Sequence, residues 1–250
     1  MKLHTFATLP LAVLLSGGVA MAQEGSVSAP SVATSAEDRR ANVSLAPLRI
    51  EMDGEQRAET LRVFNPSGRA IGVQVRAFGW KQENGEDAFF PSNAVTVSPS
   101  IITIAAGETQ IFRVVRRDLA AQGERRFRVA IDQLPDPELM RAGEAQARIR
   151  FTIPMFFDRA SAAPVKMGWT FGPDGLRAEN SGEQTARMVN VSVTTAGGQP
   201  VPVDITGLHY IHGGSALQWP LEGPCTSGPI TVTALIDGEE VNAQATNTCS

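Results

Sequence analysis

The stretch from Ala147 to Ala160, ARIRFTIPMFFDRA, alternates apolar residues with others. The residues that recur at every second position, and that an extended chain places on one face, are Ile149, Phe151, Ile153, Met155 and Phe157. Pro154 has no N–H to donate to a ladder, which favours an edge strand. A long apolar edge promotes aggregation, so the fold must either cover it or reserve it for a partner.

Short runs of β-type sequence precede this stretch, separated by turn residues such as Asn65-Pro66-Ser67-Gly68 and Asn84-Gly85. The predicted strands lie near 44–51, 58–64, 70–80, 94–97, 101–104, 109–116, 127–134 and 147–157. So many short strands without a sustained helical period indicate an antiparallel sandwich of immunoglobulin type.

A second set of such runs follows, including ARMVNVSVTT, ITGLHYI and PITVTALI. We therefore predict an all-β chain with two immunoglobulin-like sandwich domains in series, at 44–158 and 159–250. One large domain is the alternative. Residues 23–43 are rich in Ser, Ala and charge and predict a flexible lead-in.

The first 22 residues predict a secretory signal cleaved after Ala22, because an apolar stretch follows Lys2 and ends in Ala20-Met21-Ala22. No other segment is apolar for long enough to cross a membrane, so we expect no membrane insertion. Outside the cytoplasm, the two cysteines, Cys225 and Cys249, favour a disulfide over a metal site.

Charge argues against nucleic-acid binding. Removing Lys2 leaves 22 − 1 = 21 basic residues against 26 acidic ones, a net charge of −5. A nucleic-acid partner would favour the opposite sign or a basic stripe.

Little in the sequence indicates catalysis. His209 and His212 lie in a predicted strand, where positions i and i+3 face opposite sides, so we do not expect a shared metal. We identify no catalytic residue, no phosphate-binding loop and no cofactor motif. The prediction is a protein that binds rather than one that catalyses.

The connection before the alternating strand, PDPELMRAGEAQ, is long and polar, and we expect it to leave the apolar face uncovered. The alternative is that ELMRAGEA forms a helical turn or two over the strand.

In this order and spacing, several motifs together resemble the PapD-like periplasmic chaperones of chaperone–usher pili, nearest the archaic or Csu-type branch. The motifs are LRIEMDGE at 48–55, ETLRVFNPSGRAIGVQVRAFGW at 59–80, GETQIFRV at 107–114, FRVAIDQLP at 127–135, the strand RIRFTIPMFF and TALIDGEE at 233–240. The resemblance implies two domains set at an angle around a cleft. It also implies a periplasmic, ATP-independent chaperone whose partners are pilus subunits, which are incomplete immunoglobulin-like domains, and an outer-membrane usher.

In that family the chaperone lends a strand to the subunit, a mode known as donor-strand complementation. The resemblance makes Ile149 and Phe151 the central donor residues, flanked by Ala147 and Ile153. The free protein could also self-associate through this donor edge.

A family arginine and lysine bind the subunit's C-terminal carboxylate. The resemblance assigns the arginine to Arg49, whereas the lysine position falls on Pro154, which has no charge; Arg150 is a possible substitute from a neighbouring register. A further family network between the domains maps onto Arg113, Gln133 and Asp237. Because Gln133 stands where a glutamate is expected, we predict a weaker network and a more adjustable cleft.

Two other functions stay open. A secreted or periplasmic two-domain adhesion or carbohydrate-binding module would bind through its loops. A pilus subunit would carry an N-terminal extension with large alternating apolar residues, which EGSVSAPSVATSAEDRR lacks.

Overall fold

The computed structural model describes residues 43–119, 121–136 and 149–250, all within one compact unit. The strands that build its first sandwich are β1 (Ser44–Ala46), β2 (Ile50–Met52), β3 (Ala58–Phe64), β4 (Ile71–Glu83), β5 (Glu86–Pro91), β6 (Val95–Ser98), β7 (Ile101–Ile104), β8 (Thr109–Arg116), β9 (Arg125–Gln133) and β10 (Arg150–Phe157). A short 3-10 turn, Arg159–Ser161, leads out of β10.

Two sheets pack face to face in this sandwich. One has the order β1-β3-β8-β6, and the other has the order β2-β10-β9-β4-β5, with β7 also paired to β4. Alternate residues of the strands point inward, so that Ile153, Met155 and Phe157 of β10 lie in one apolar cluster with residues such as Phe112 and Val129. Burial of this kind contributes roughly 1.5–3 kcal/mol for each large side chain.

The second sandwich begins after the 3-10 turn. Its strands are β11 (Met167–Gly172), β12 (Gly175–Asn180), β13 (Ala186–Thr195), β14 (His209–Ile211), β15 (Ser215–Trp219), β16 (Ile230–Ile236) and β17 (Glu239–Asn247). Most of β17 pairs with β16, whereas Thr246 and Asn247 pair in parallel with β11, so β17 connects the two layers. Cys225 and Cys249 form a disulfide that ties the loop before β16 to the segment after β17.

The predicted fold class, two immunoglobulin-like β-sandwiches, is confirmed. Two details differ from the predicted strands. The predicted strand 44–51 is divided into β1 and β2, which belong to different sheets, because Pro47 between them cannot continue a ladder. β5 was not predicted, although Asn84 and Gly85, both with positive φ, form the two-residue turn that a β4–β5 hairpin requires.

Ala147 and most of the connection before β10 lie outside the described residues, as does the predicted lead-in up to residue 42. Over the parts of the chain that the structure describes, no helix has the length and apolarity needed to cross a bilayer. The same parts contain no group of side chains suited to a metal ion.

Candidate functional site

The strand β10 has two different halves. Met155 to Phe157 lie between two neighbours, because they pair in parallel with β2 and antiparallel with β9. Arg150 to Pro154 pair with β9 only, and among the described residues no strand lies on their other side. The backbone groups of this N-terminal half therefore form an open edge of the kind that accepts an added strand.

The predicted donor residues differ in exposure. Ile149 and Phe151 are half-buried, and Phe151 packs against the margin of the first core. Ile153 is only 3% exposed and is itself a core residue. Ile153 lies on the same face of β10 as Phe151, and at its position that face packs against the opposite sheet of the sandwich. The expectation that Ile153 offers its side chain to a partner is therefore corrected.

The other side of this sheet is called here the outer face. It consists of the side chains that point away from the first core, including Glu51 of β2, Phe78 and Trp80 of β4, Arg126 and Arg128 of β9, and Pro154 and Phe156 of β10. The end of the outer face near Phe156 contacts the second sandwich, where Arg49 approaches Asp237 and Trp80 packs against His212.

Arg49 lies at this end, immediately before β2. Its guanidinium lies 4.8 Å from the centre of the Phe156 ring, a cation–π distance. Arg49 Nη1 is 3.6 Å from a carboxylate oxygen of Asp237, and Arg49 also forms an ion pair with Glu51. Its Nε is buried and donates to no acceptor among the described residues. The structure thus places Arg49 where the two sandwiches meet, with donor capacity left over.

Arg150 lies away from Arg49. It is exposed at the start of β10 and pairs across the strands with Asp132, which also accepts a hydrogen bond from Arg76 at 2.6 Å. Arg49 covers Phe156, which lies six residues after Arg150 in the same strand. At the rise of an extended chain, Arg150 and Phe156 are roughly 20 Å apart. The prediction that Arg150 assists Arg49 on one carboxylate is therefore corrected.

The predicted network between the domains is also different. Arg113 is exposed on β8, on the side of the first sandwich opposite to its core, and no ion pair joins it to Asp237 among the described residues. Gln133 ends β9, where its N–H donates to the carbonyl of Ile149. Asp237 instead lies near Arg49 and Arg159, with Arg159 Nη2 3.4 Å from it. Inward positions on β8 are even-numbered, which explains why Arg113 points outward.

The network found in the structure centres on Glu124, whose side chain is completely buried. Glu124 Oε1 accepts hydrogen bonds from Arg126 Nε and from the backbone N–H of Thr185, both at 2.9 Å. Glu124 Oε2 accepts one from Arg159, whose Nη1 also donates to the Thr185 carbonyl at 2.9 Å. Because Thr185 belongs to the second sandwich, these bonds join the two sandwiches.

Sequence reasoning missed both Glu124 and Arg159. The sequence did contain a signal for Arg159, since it directly follows FFD, the end of the last strand of the first sandwich. A residue at that position lies between the two sandwiches. Nothing in the sequence around Glu124 distinguishes it from a solvated loop glutamate.

An aromatic contact completes the junction. The Trp80 ring lies edge-on to the His212 ring at 4.2 Å and to Tyr210 at 5.3 Å between centroids. Gln82 donates to the Tyr210 carbonyl at 2.7 Å and accepts from the His212 N–H at 2.9 Å. Burial lowers the pKa of His212 to about 3, with Arg126 and Arg128 adding to the effect, so its ring is neutral at pH 7.

A buried ion pair fixes the end of β10. Arg116 donates to both carboxylate oxygens of Asp158, at 2.8 and 2.6 Å, and the N–H of Ala121 donates to the same group at 2.9 Å. Burial acts to raise the pKa of Asp158, but these hydrogen bonds outweigh it and hold the pKa at about 2. The direction in which the chain leaves β10 is thereby set.

Comparisons with known proteins agree with this architecture. Residues 42–161 match the family of pili and flagellar-assembly chaperones, PapD N-terminal domain. No curated protein sequence matches the chain.

Solved structures are similar in fold over most of the chain. A chain of the CsuC–CsuE chaperone–tip adhesion subunit pre-assembly complex from archaic chaperone-usher Csu pili of Acinetobacter baumannii aligns with a TM-score of 0.62 and 16% identity, covering 83% of this chain and 100% of that one. The Salmonella enterica SafA pilin in complex with the SafB chaperone gives a TM-score of 0.58 and 22% identity, covering 83% and 97%. The CupB2 chaperone of Pseudomonas aeruginosa gives 0.53 and 17%, covering 80% and 97%.

The family match covers the sandwich that contains β10 and Arg49, and the structural matches extend through the second sandwich. Residues 42–161 thus match the family of PapD N-terminal chaperone domains, and the chain as a whole has the two-sandwich fold of the solved pilus chaperones.

Proposed function

We propose that this protein is an ATP-independent periplasmic chaperone that caps pilus subunits by donor-strand complementation and delivers them to an outer-membrane usher. The observation that carries the proposal is the open edge of β10 from Arg150 to Pro154, which lies on the same strand as the residues packed beneath Arg49. The protein changes no covalent bond; it binds.

Capping combines two contacts. Backbone groups of the open edge pair with a subunit strand, and the half-buried side chains of Ile149 and Phe151 extend the first core toward the subunit's incomplete core. Ala147 continues the same alternation. Each large apolar side chain covered in this way contributes roughly 1.5–3 kcal/mol.

Arg49 anchors the subunit by its C-terminal carboxylate, since a guanidinium forms charge-assisted, bidentate bonds with a carboxylate. The segments 44–158 and 159–250 act as the two domains, the first supplying the donor strand and the second the other wall of the cleft. Residues 1–22 export the chain and are removed after Ala22. Without a subunit, a second copy of the chain can occupy the open edge.

The test is co-expression of the chain with candidate pilus subunits in a bacterial periplasm, followed by size exclusion and intact-mass analysis. We expect a one-to-one complex in which the subunit survives proteolysis. If every candidate subunit is degraded while the protein remains alone, the proposal fails, and binding to a glycan array would then identify an adhesion module.

A further inference from the structure

The second sandwich is open along one side, between β11 and β17. Among the described residues, these two strands pair only at their far ends, where Thr170 lies opposite Thr246 and Phe171 opposite Asn247. From Glu239 up to that point, β17 pairs with β16 alone. The edges of β11 and β17 are therefore not joined over the half of the sandwich nearest the first sandwich, and a gap lies between them.

A cavity of about 460 Å³ occupies this gap. Its apolar walls consist of Val165, Met167 and Trp169 on the β11 side and of Val241 and Ala243 on β17. All of these except Trp169 are only partly buried against the second core, so an occupant of the cavity would cover apolar surface that the fold leaves open. The volume lies in the range of ligand sites, roughly 300–1,000 Å³.

Trp169 contributes an unused hydrogen-bond donor to the wall of this cavity. The residue is 6% exposed, and its indole Nε1–H has no acceptor in the part of the chain that the structure describes. Buried donors in folded proteins are nearly always paired, because an unpaired one has lost its water without gaining a partner. An occupant that brings a carbonyl oxygen would supply the missing acceptor.

The edge of β17 that faces the gap has free backbone groups. Asp237 and Gly238 both have positive φ and form the two-residue turn between β16 and β17, in which the N–H of Glu239 bonds the carbonyl of Ile236. Along an antiparallel strand the backbone groups alternate between its two edges, so every second residue after Glu239 points away from β16. The residues whose N–H and C=O groups point into the gap are Glu240, Asn242 and Gln244.

The end of the gap near the first sandwich is acidic. Asp237 lies 3.4 Å from Arg159 and 3.6 Å from Arg49, and both arginines also pair with carboxylates of the first sandwich. Glu239 and Glu240 follow Asp237 closely, and neither forms an ion pair with any described residue. Carboxylates outnumber cations at this end, which favours an occupant with a positive charge there.

We propose that the open side of the second sandwich is a peptide-binding site. Its ligand is an extended segment of a partner protein, with apolar residues at alternate positions and a lysine or arginine beside Glu239. The segment pairs antiparallel with the free edge of β17, fills the cavity with its apolar side chains and offers a carbonyl oxygen to Trp169 Nε1. This site is separate from the open edge of β10 and does not depend on the proposed function.

The probe is the synthetic peptide acetyl-Val-Thr-Val-Ser-Val-Lys-amide, whose C-terminal lysine lies beside Glu239 in the antiparallel orientation. The comparison peptide has glutamate in place of that lysine. Each is titrated into the ¹⁵N-labelled mature protein while its amide and indole N–H resonances are followed. We expect the lysine peptide to shift the resonances of Trp169 Nε1, Asn242 and Gln244, and the glutamate peptide to bind about tenfold more weakly.

Two variants give the second readout. Trp169→Phe keeps an aromatic ring but removes the indole donor, and it should weaken binding of the lysine peptide about fivefold. Trp219→Phe is its matched control, because Trp219 is 7% exposed in the same sandwich but lies outside the cavity wall, and it should bind like the wild type. Glu239→Gln should reduce the preference for the lysine peptide, whereas Glu222→Gln, an exposed position of the same sandwich, should preserve it.

Three results would overturn the proposal: no binding of the lysine peptide at millimolar concentration, shifts confined to β10, or equal affinity for the two peptides. The spectra of the wild-type protein decide this even if Trp169→Phe loosens the second core. The outcome is also independent of subunit capture. Capture of a subunit by a protein that does not bind the peptide removes only this inference, and peptide binding without capture removes only the proposed function.

Discussion

Single residues of one chemical type have different roles in this molecule according to where the sheet register places them. Arg113 is exposed on the outside of the first sandwich, Arg159 joins the two sandwiches, and Arg116 is buried against Asp158. Arg49 lies where the two sandwiches meet, its Nε has no acceptor among the described residues, and the Phe156 ring supports its guanidinium. Side-chain chemistry alone does not distinguish these positions, whereas burial and partners do.

At the residue scale, Phe151 tests the open edge. Phe151→Ala should reduce recovery of subunit complex about tenfold, because the side chain that extends the core toward the partner is lost. It should also lower the free energy of unfolding by about 1–2 kcal/mol, since the residue is half-buried. Co-purification yield and urea unfolding measure the two effects.

The control for Phe151 is Phe90→Ala, the same change on the opposite edge of the same sheet, where Phe90 is 43% exposed. Complex recovery with this control should equal that of the wild type. Equal recovery from both variants would contradict the assignment of β10 as the binding edge.

His212 gives a pH dependence with a defined sign. Its pKa in the folded protein, about 3, lies below the ordinary value of 6.5, so the unfolded chain binds the extra proton. The stability from the neutral ring is complete above pH 6.5 and declines as the pH falls toward 3, by up to about 1.4 kcal/mol per pH unit.

Urea unfolding at pH 7 and pH 5 measures this effect. The wild-type protein should lose stability between the two values, and His212→Gln should lose much less. His209→Gln serves as the control, because His209 contacts Thr206 and Trp219 within its own sandwich. A wild-type pH profile in His212→Gln would show that another group is responsible.

At the scale of elements, β10 resolves the question raised by its sequence. Its apolar face is covered from Ile153 to Phe157 by the first sandwich, while the N-terminal half of its backbone edge stays open. One strand thus has both a covered apolar face and an unpaired backbone edge. Pro154 lies at the border between the two halves of β10. Its missing N–H therefore removes no hydrogen bond from the half that is paired on both sides, Met155 to Phe157.

The disulfide is also a property of elements, since it joins the segments flanking β16 and β17. Closing a loop with a sequence separation of 24 contributes about 3 kcal/mol in the chain-entropy account. The double variant Cys225→Ser, Cys249→Ser should lose about this much free energy of unfolding while its subunit recovery in the cold stays unchanged. A loss of capture by a variant that is still folded would show that the second sandwich contributes more to binding than the wall of the cleft.

At the scale of the whole molecule, the angle between the two sandwiches depends on buried charge. Glu124 has no solvent contact and accepts bonds from Arg126, Arg159 and Thr185, so it links the first sandwich, the 3-10 turn and the second sandwich. A buried group held in this way specifies one arrangement, because any other would leave a carboxylate without donors.

Glu124→Gln should therefore destabilise the protein by about 3 kcal/mol and broaden the distribution of angles between the sandwiches. Unfolding experiments measure the loss of stability. Residual dipolar couplings measure the distribution of angles, because each sandwich would then have its own alignment tensor. Glu86→Gln, on exposed β5, should change neither quantity. A rigid, wild-type-like arrangement in Glu124→Gln would assign the angle to the Trp80–His212 contact instead.

The sequence alone determined the fold class, because period-two alternation and turns such as Asn84-Gly85 are local and can be read along the chain. Arg49 and the binding strand followed from the family resemblance. The tertiary structure alone decided that Arg159 and Glu124 join the sandwiches in place of Arg113 and Gln133, and that Ile153 is already buried. These are contacts between residues far apart in the chain, and they depend on the register and packing of sheets, where a shift of one residue moves each side chain to the opposite face.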